Sequence, residues 1–365
     1  MNKFKLTAGA AALCCTAMLA SACTFGGGTG EQPERETIQK PDKTITVINE
    51  TPPAASVTVS NIATVEDARG MNFLDDERIV FSRKNTGVPP QPVEGEEVYP
   101  NNLYVYDLAG KTSELLVEDQ QNLGFSVLSP DGKHLFYKMT EEATAFGRIL
   151  DLATMKSVNL DIEEPIDLNG GQWIDDSHVL VSTLFGKVVV ADLSGKTETV
   201  LEPGGVLLGA AAGDGGIYYI QGGDNRELYF VADEEGAQPE KIAEGVEWII
   251  PSPDRKQLAM VKVTSETERT LSVIDRKGQK LLDIEKGTQI FGTSWSPDGT
   301  KLAYSLTSET GGDNGVFVAD SLTGEKTGVL VGQASDTVAW SPSGKKLLAS
   351  VFENDRFVTS VITLQ

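Results

Sequence analysis

The chain has 365 residues, with 31 Lys plus Arg against 53 Asp plus Glu and a formal charge of −22. That balance argues against nucleic acid as a partner, since phosphate binding runs on clustered basic side chains. It also disfavours docking on anionic lipid through a polybasic patch. Forty per cent hydrophobic residues supply a core, and 37 Gly with 16 Pro indicate a turn-rich, all-β chain.

At the N-terminus, Lys3 and Lys5 precede an apolar stretch from Leu6 to Leu19, and Ala20-Ser21-Ala22-Cys23 follows. The stretch is shorter than the about 20 residues that span a bilayer, so it reads as a secretory signal outside the fold. Small residues ending at a Cys resemble the lipobox of bacterial lipoproteins. The family's usual Leu three places before the Cys is Ala20 here, with Leu19 one place earlier. The resemblance implies a signal peptide over residues 1–22, cleavage before Cys23 and transfer of a diacylglyceryl group to its sulfur. It further implies acyl chains such as palmitate and an extracytoplasmic domain held at the bacterial membrane. Cysteine usage agrees. Cys14 and Cys15 lie in the signal, which leaves Cys23 as the mature chain's single thiol and no disulfide framework. Two acyl chains anchor stably where one is marginal.

Residues 23–55 read as a flexible tether, with Phe25-Gly-Gly-Gly-Thr-Gly30, a charged stretch, and Pro52-Pro53. Thr44-Ile-Thr-Val-Ile48 alternates and reads as a lone strand within it. The Gly-rich run has neither the preceding strand nor the following helix of a phosphate loop.

From residue 56 to 365 the chain repeats itself. The clearest copies are Trp295-Ser-Pro-Asp-Gly299, Trp340-Ser-Pro-Ser-Gly344 and Leu128-Ser-Pro-Asp-Gly132. Aligned turn positions fall at Asp76, Asp131, Asp176, Asp214, Asp254, Asp298 and Ser343, spaced 38 to 55 residues apart. A second landmark, an Asp ending an apolar run, recurs at Asp107, Asp151, Asp192, Asp233, Asp275 and Asp320, spaced 41 to 45 apart. Pro presets φ for a turn, Asp bonds its own backbone and Gly takes positive φ. Each unit of about 44 residues therefore reads as four short strands, and four-stranded units at this period are propeller blades. Seven blades are expected; six follow if the weak unit around Asp214 is irregular. The seventh unit runs out after its third strand, and the alternating residues 57–65 are expected to complete it and close the ring.

The Ser-Pro-Asp-Gly copies resemble the TolB-like, WD-repeat-like β-propeller family over about 310 residues. The resemblance implies the fold, and binding of other envelope proteins. TolB itself carries an additional N-terminal domain where this chain has a tether, so its partners do not transfer.

Catalytic signals are sparse. Gly110-Lys-Thr112 and Gly195-Lys-Thr197 lack the earlier Gly of a phosphate loop, because Val105 and Val190 stand there. His134 and His178 each start a second strand, and no orienting partner is evident from the sequence. No His/Cys cluster points to zinc and no Gly-x-Ser-x-Gly elbow occurs. Asp224-Asn225 and Asp313-Asn314 do not approach calcium-loop spacing. No catalytic residue, metal site or cofactor is assigned.

One irregularity stands out. The first unit's central loop, residues 84–102, contains Pro89-Pro90, Pro92, Glu94, Glu96, Glu97 and Tyr99. In a propeller such loops share a face with the passages between blades, and that face also receives Glu141, Glu142, Asp224, Glu266, Glu268, Glu309 and Asp313. Glu94, Glu96, Glu97 and Tyr99 are the candidate binding loop. The reading is a monomeric, lipid-anchored extracytoplasmic propeller that binds an envelope protein, peptide or other ligand. Alternatives are a metal-dependent propeller hydrolase or lactonase, and a sensory accessory of a membrane protein.

Overall fold

The computed structural model describes residues 35–40, 43–48, 57–93, 95–141, 144–168, 170–309 and 313–365. Residues 1–34, with the signal and Cys23, lie outside the described residues, as do Glu94 and Glu142. Two compact units are present, Met1–Pro53 and Ala54–Gln365. In the first, Lys43–Ile48 is a strand, as the alternation predicts. It is not alone: it pairs antiparallel with Arg35–Lys40, Ile38 opposite Ile45.

The second unit is a ring of seven four-stranded antiparallel sheets, and its described residues form no helix. Blade 1 is Arg69–Phe73, Arg78–Lys84, Asn101–Asp107 and Thr112–Val117. Blades 2 to 6 begin with the inner strands Asn122–Leu128, Gln172–Trp173, Leu207–Gly213, Val246–Pro251 and Gln289–Trp295. Blade 7 takes Thr337–Trp340, Lys346–Glu353 and Arg356–Leu364 from the end of the chain and Val59–Glu66 from its start. The weak unit around Asp214 is a complete blade, which settles the count at seven.

Both repeat landmarks are side-chain-to-backbone turns at the same end of the blades. In blade 2, Ser129 Oγ accepts from the N–H of Lys133 and His134 (3.2 and 2.9 Å) and donates to Asp131. Ser296 and Asp298 repeat this in blade 6, where Lys301 N–H donates to Ser296 Oγ at 2.9 Å. Gly132, Gly299 and Gly344 take φ near +70° at the next position, a region open to glycine without a Cβ clash. The second landmark works alike: Asp192 Oδ1 accepts from Ser194 and Lys196, and Asp320 Oδ1 from Leu322 and Thr323.

Seven apolar clusters fill the seams between blades, one cluster per seam. Trp173, Trp295 and Trp340, each three residues before its turn Asp or Ser, are buried there and donate their indole N–H to the previous blade's inner strand. Trp173 reaches Val127 O, Trp295 reaches Ile250 O and Trp340 reaches Ser294 O, each at 3.0 Å. A ring that packs against the neighbour also hydrogen-bonds it. The seam between blades 3 and 4 has the smallest buried cluster, Leu180, Val188 and Ala212. The inner strand of blade 4 reads Ala210-Ala-Ala212 where five of the other six units have a large apolar residue, which is why that unit is weak in the sequence.

Closure rests on Val59–Glu66, whose register runs from Val59 opposite Leu364 to Glu66 opposite Val358. Thr58 and Gln365 exchange backbone hydrogen bonds at 2.9 Å, and Val57 and Val65 are buried. Burying each valine contributes about 1.5–3 kcal/mol. A chain starting at Ala54 is expected to fold, and one starting at Asp67 to lose at least those two contributions and expose the edge of Arg356–Leu364. Thermal melts of the two chains check this; equal midpoints would show that the strand does not close the ring.

Candidate functional site

Chain direction gives the ring two unlike faces. Turns between first and second strands, and between third and fourth, lie on one; connections between second and third strands, and passages between blades, lie on the other. The first is the turn face, fixed by the Asp and Ser bonds described above. The second is the loop face.

The extra segment of blade 1 projects from the loop face. Its flanking strands stay paired through Lys84 opposite Asn101, so the insertion is shorter than the sequence indicates. Within it, Gln91–Val93 pairs with Glu96–Val98 around Gly95 at φ +90°. The base is buried and polar. Asn85 Nδ2 donates to Asn102 Oδ1 at 2.9 Å, Asn102 Nδ2 donates to Asp119 O at 3.0 Å, and Asn85 N–H meets Pro100 O. Gln91 Nε2 donates to Gln120 O at 2.8 Å, fastening the hairpin to the passage into blade 2. Glu96, Glu97 and Val98 are exposed and Tyr99 is half-buried. Strand alternation sends Glu96 and Glu97 to opposite sides of the hairpin. Neither forms an ion pair among the described residues. Of the other acids, Glu141, Asp224, Glu266, Glu309 and Asp313 stand exposed on the second-to-third-strand connections, whereas Glu268 meets Lys286 at 3.4 Å.

The same face carries exposed apolar side chains. Phe185 in blade 3 is 70 % exposed and Val206, before blade 4, 63 %. Their loops touch, since a Cβ on Gly186 would come within 2.9 Å of Gly205 O.

At the ring's centre the loop face opens into a cavity of about 710 Å³. Bulges in the inner strands of blades 1, 2 and 6 place Met71, Phe125 and Thr293 in its wall. At one bulge Phe125, among the residues lining the cavity, sits at φ +42°, a conformation costing a non-glycine residue about 1–3 kcal/mol. Behind it Lys138 is wholly buried, its Nζ 4.1 Å from the Phe125 ring centroid and donating to Asp167 O and Gly170 O. Arg69 supplies the cavity's one lining cation and is already engaged, with Asp336 at 2.8 Å and the Phe357 ring at 5.1 Å. Among the described residues no Asp or Glu lines the cavity. Nothing in the sequence marks this site, because it is built from residues on blades 1, 2, 5, 6 and 7 and on the passage into blade 3.

The histidines lie elsewhere. His178 does find a partner, Asp175, at 2.9 Å from Nδ1, on the turn face. Ser177 Oγ meets the same nitrogen at 3.0 Å. A Ser–His–Asp triad needs the Ser on one ring nitrogen and the carboxylate on the other, so this cluster is a turn. His134 is packed near Trp173, ring centroids 6.4 Å apart. Among the described residues no three His, Cys, Asp or Glu converge on a metal position.

The chain is a seven-bladed β-propeller. No family model and no curated protein matches it. Among solved structures it is similar to an oligogalacturonate lyase in complex with manganese, at 16 % identity and TM-score 0.59 over 91 % of this chain and 96 % of that one. It is also similar to the β-propeller domain of Cps50 (Swd1) from Myceliophteria thermophila, at 10 % identity and TM-score 0.59 over 85 % and 100 %. TolB from Acinetobacter baumannii aligns at 14 % identity over 79 % and 64 %, with TM-score 0.47. At such identities the likeness is one of fold.

Burial pushes Lys138 down to about 7, against the pull of Asp167. Unfolded, the lysine keeps its proton up to the ordinary 10.5. Between those values the unfolded state binds more protons, so this group makes stability rise with pH across the window. Lys138→Met is expected to flatten that rise, read as melting temperature against pH. An unchanged slope would mean that Lys138 titrates as an ordinary surface lysine.

Proposed function

We propose that the protein is a lipid-anchored extracytoplasmic β-propeller that works as a binding module, taking an envelope protein or peptide on its loop face. The observation carrying this reading is the blade 1 hairpin, which projects Glu96, Glu97 and Val98 from a buried, hydrogen-bonded base. Irregular projections on a rigid scaffold are where binding residues collect. Exposed Phe185 and Val206 on the same face add apolar contact area suited to a protein surface. Unpaired carboxylates favour a partner with basic groups, and the anchor at Cys23 would hold the domain near partners in the envelope.

The test separates shape from charge. Replacing residues 90–98 by Gly-Gly keeps the Asn85–Asn102 base, and loop shortening alone changes stability little, about 0.6 kcal/mol per halving. Capture of membrane partners is expected to fall while the melting temperature holds. Glu96→Gln with Glu97→Gln keeps the shape, so association is expected to slow at low salt and match the parent at high salt. Unchanged capture by both variants would remove the hairpin from the interface. For the anchor, Cys23→Ala is expected to abolish fatty-acid labelling; continued labelling would end that part of the reading.

A further inference from the structure

We propose that the central cavity is a second site, separate from the hairpin, and that it binds a short uncharged oligosaccharide. Its volume, about 710 Å³, lies within the range of small-molecule sites, roughly 300–1,000 Å³. Charge narrows the ligand first. In a chain with 53 acids, the described lining contains none, so a cation finds no counter-charge there. An anion finds only Arg69, whose guanidinium already faces Asp336. A ligand without charge remains.

Hydrogen bonding narrows it next. Thr293 is 7 % exposed and lines the cavity, yet its Oγ1 has no partner. A buried hydroxyl left unpaired is destabilising by about 1–3 kcal/mol. It stands there because Gly292 and Thr293 bulge out of the ladder between Phe291 and Ser294, with Gly292 at φ +56°. Across the cavity, Asn122 spends Oδ1 on Asn101 N–H at 2.9 Å, and its Nδ2 and the Asn101 side-chain amide have no partner among the described residues. These amides and the hydroxyl both donate and accept, as sugar hydroxyls do, and Phe125, Val127, Val338 and Phe357 in the lining supply apolar surface beside them. An apolar ligand would leave the polar groups stranded.

The full-length protein would be titrated with maltotriose, cellotriose, xylotriose and triacetylchitotriose. Trigalacturonate serves as the anionic arm and capped trialanine as the peptide arm, with binding read by saturation-transfer NMR. At least one neutral trisaccharide is expected to bind saturably below about 10 mM. Thr293→Val keeps the shape and removes the unpaired hydroxyl, so the melting temperature is expected to hold or rise while binding weakens about two- to tenfold. Asn101→Ala, at an exposed position, is expected to weaken it similarly. Replacing residues 90–98 is expected to leave saccharide binding unchanged, which separates this site from the protein-binding face. The proposal is overturned if no neutral trisaccharide binds, if trigalacturonate or the peptide binds in their place, or if both point variants bind as the parent does.

Discussion

A ring of sheets closes only when its last blade is completed, and here that depends on one antiparallel ladder joining the two ends of the domain. Val59–Glu66 lies along Arg356–Leu364, and the seam beside it is tied by buried hydroxyls. Thr359 Oγ1 accepts from Gly70 N–H at 2.8 Å and donates to Ala68 O at 2.7 Å, while Ser350 donates to Gly70 O at 3.1 Å. The approach is so close that a Cβ on Gly70 would lie 2.7 Å from Thr359 Cγ2, so glycine is required there. Closure also assembles the cavity. Arg69 and Asn72 come from one side of this seam and Thr337 and Phe357 from the other.

The two faces divide the work of the sequence. On the turn face, Ser, Asp and Gly are committed to their own backbone, and the repeat is strict because the turn geometry is. Lys133 and then Ser129, through side-chain hydrogen bonds, hold Asp131 down to about 2, so that turn keeps its charged acceptor well into acid. The loop face has no such obligation. Its connections range from the two-residue turn of Asn354 and Asp355 to the hairpin insertion of blade 1, and variation there leaves the seams untouched. Stability is thus concentrated in the seams and turns, and the loop face is left open to vary.

Legibility followed range. The Asp turns and the closing strand depend on residues close in sequence or repeated at a fixed interval, so they are legible in the sequence. The lone strand of the tether acquired a partner because Arg35–Lys40, mostly polar, gives little alternating signal. The cavity was not legible at all. Thr293 lacks a partner because a bulge turns it out of its ladder, and Lys138 is buried because carbonyls from the passage into blade 3 close over it. Neither residue type nor local pattern announces such contacts. Arg255 shows the same limit: it stands where other units have Gly, at φ +59°, and reaches past blade 4 to Ile174 O in blade 3. What looks in sequence like a degraded turn is a strut across the smallest seam.

Electrostatics gives the two proposed sites opposite signatures. The influence of the formal charge of −22 beyond about 8–10 Å is screened at physiological salt. Under the proposed function, a basic partner of the hairpin would meet Glu96 and Glu97, unpaired among the described residues, and its association would slow as salt rises. A neutral ligand in the carboxylate-free cavity gains nothing from that field and loses nothing when it is screened. Anions are repelled during approach, cations are attracted to the surface and then find no acid inside, and only an uncharged, hydrogen-bonding molecule is indifferent to both. Among the described residues the cavity wall of this acidic chain carries no acid, and under the proposed saccharide site that wall would act as a filter, admitting by chemistry what the outer surface neither steers nor rejects.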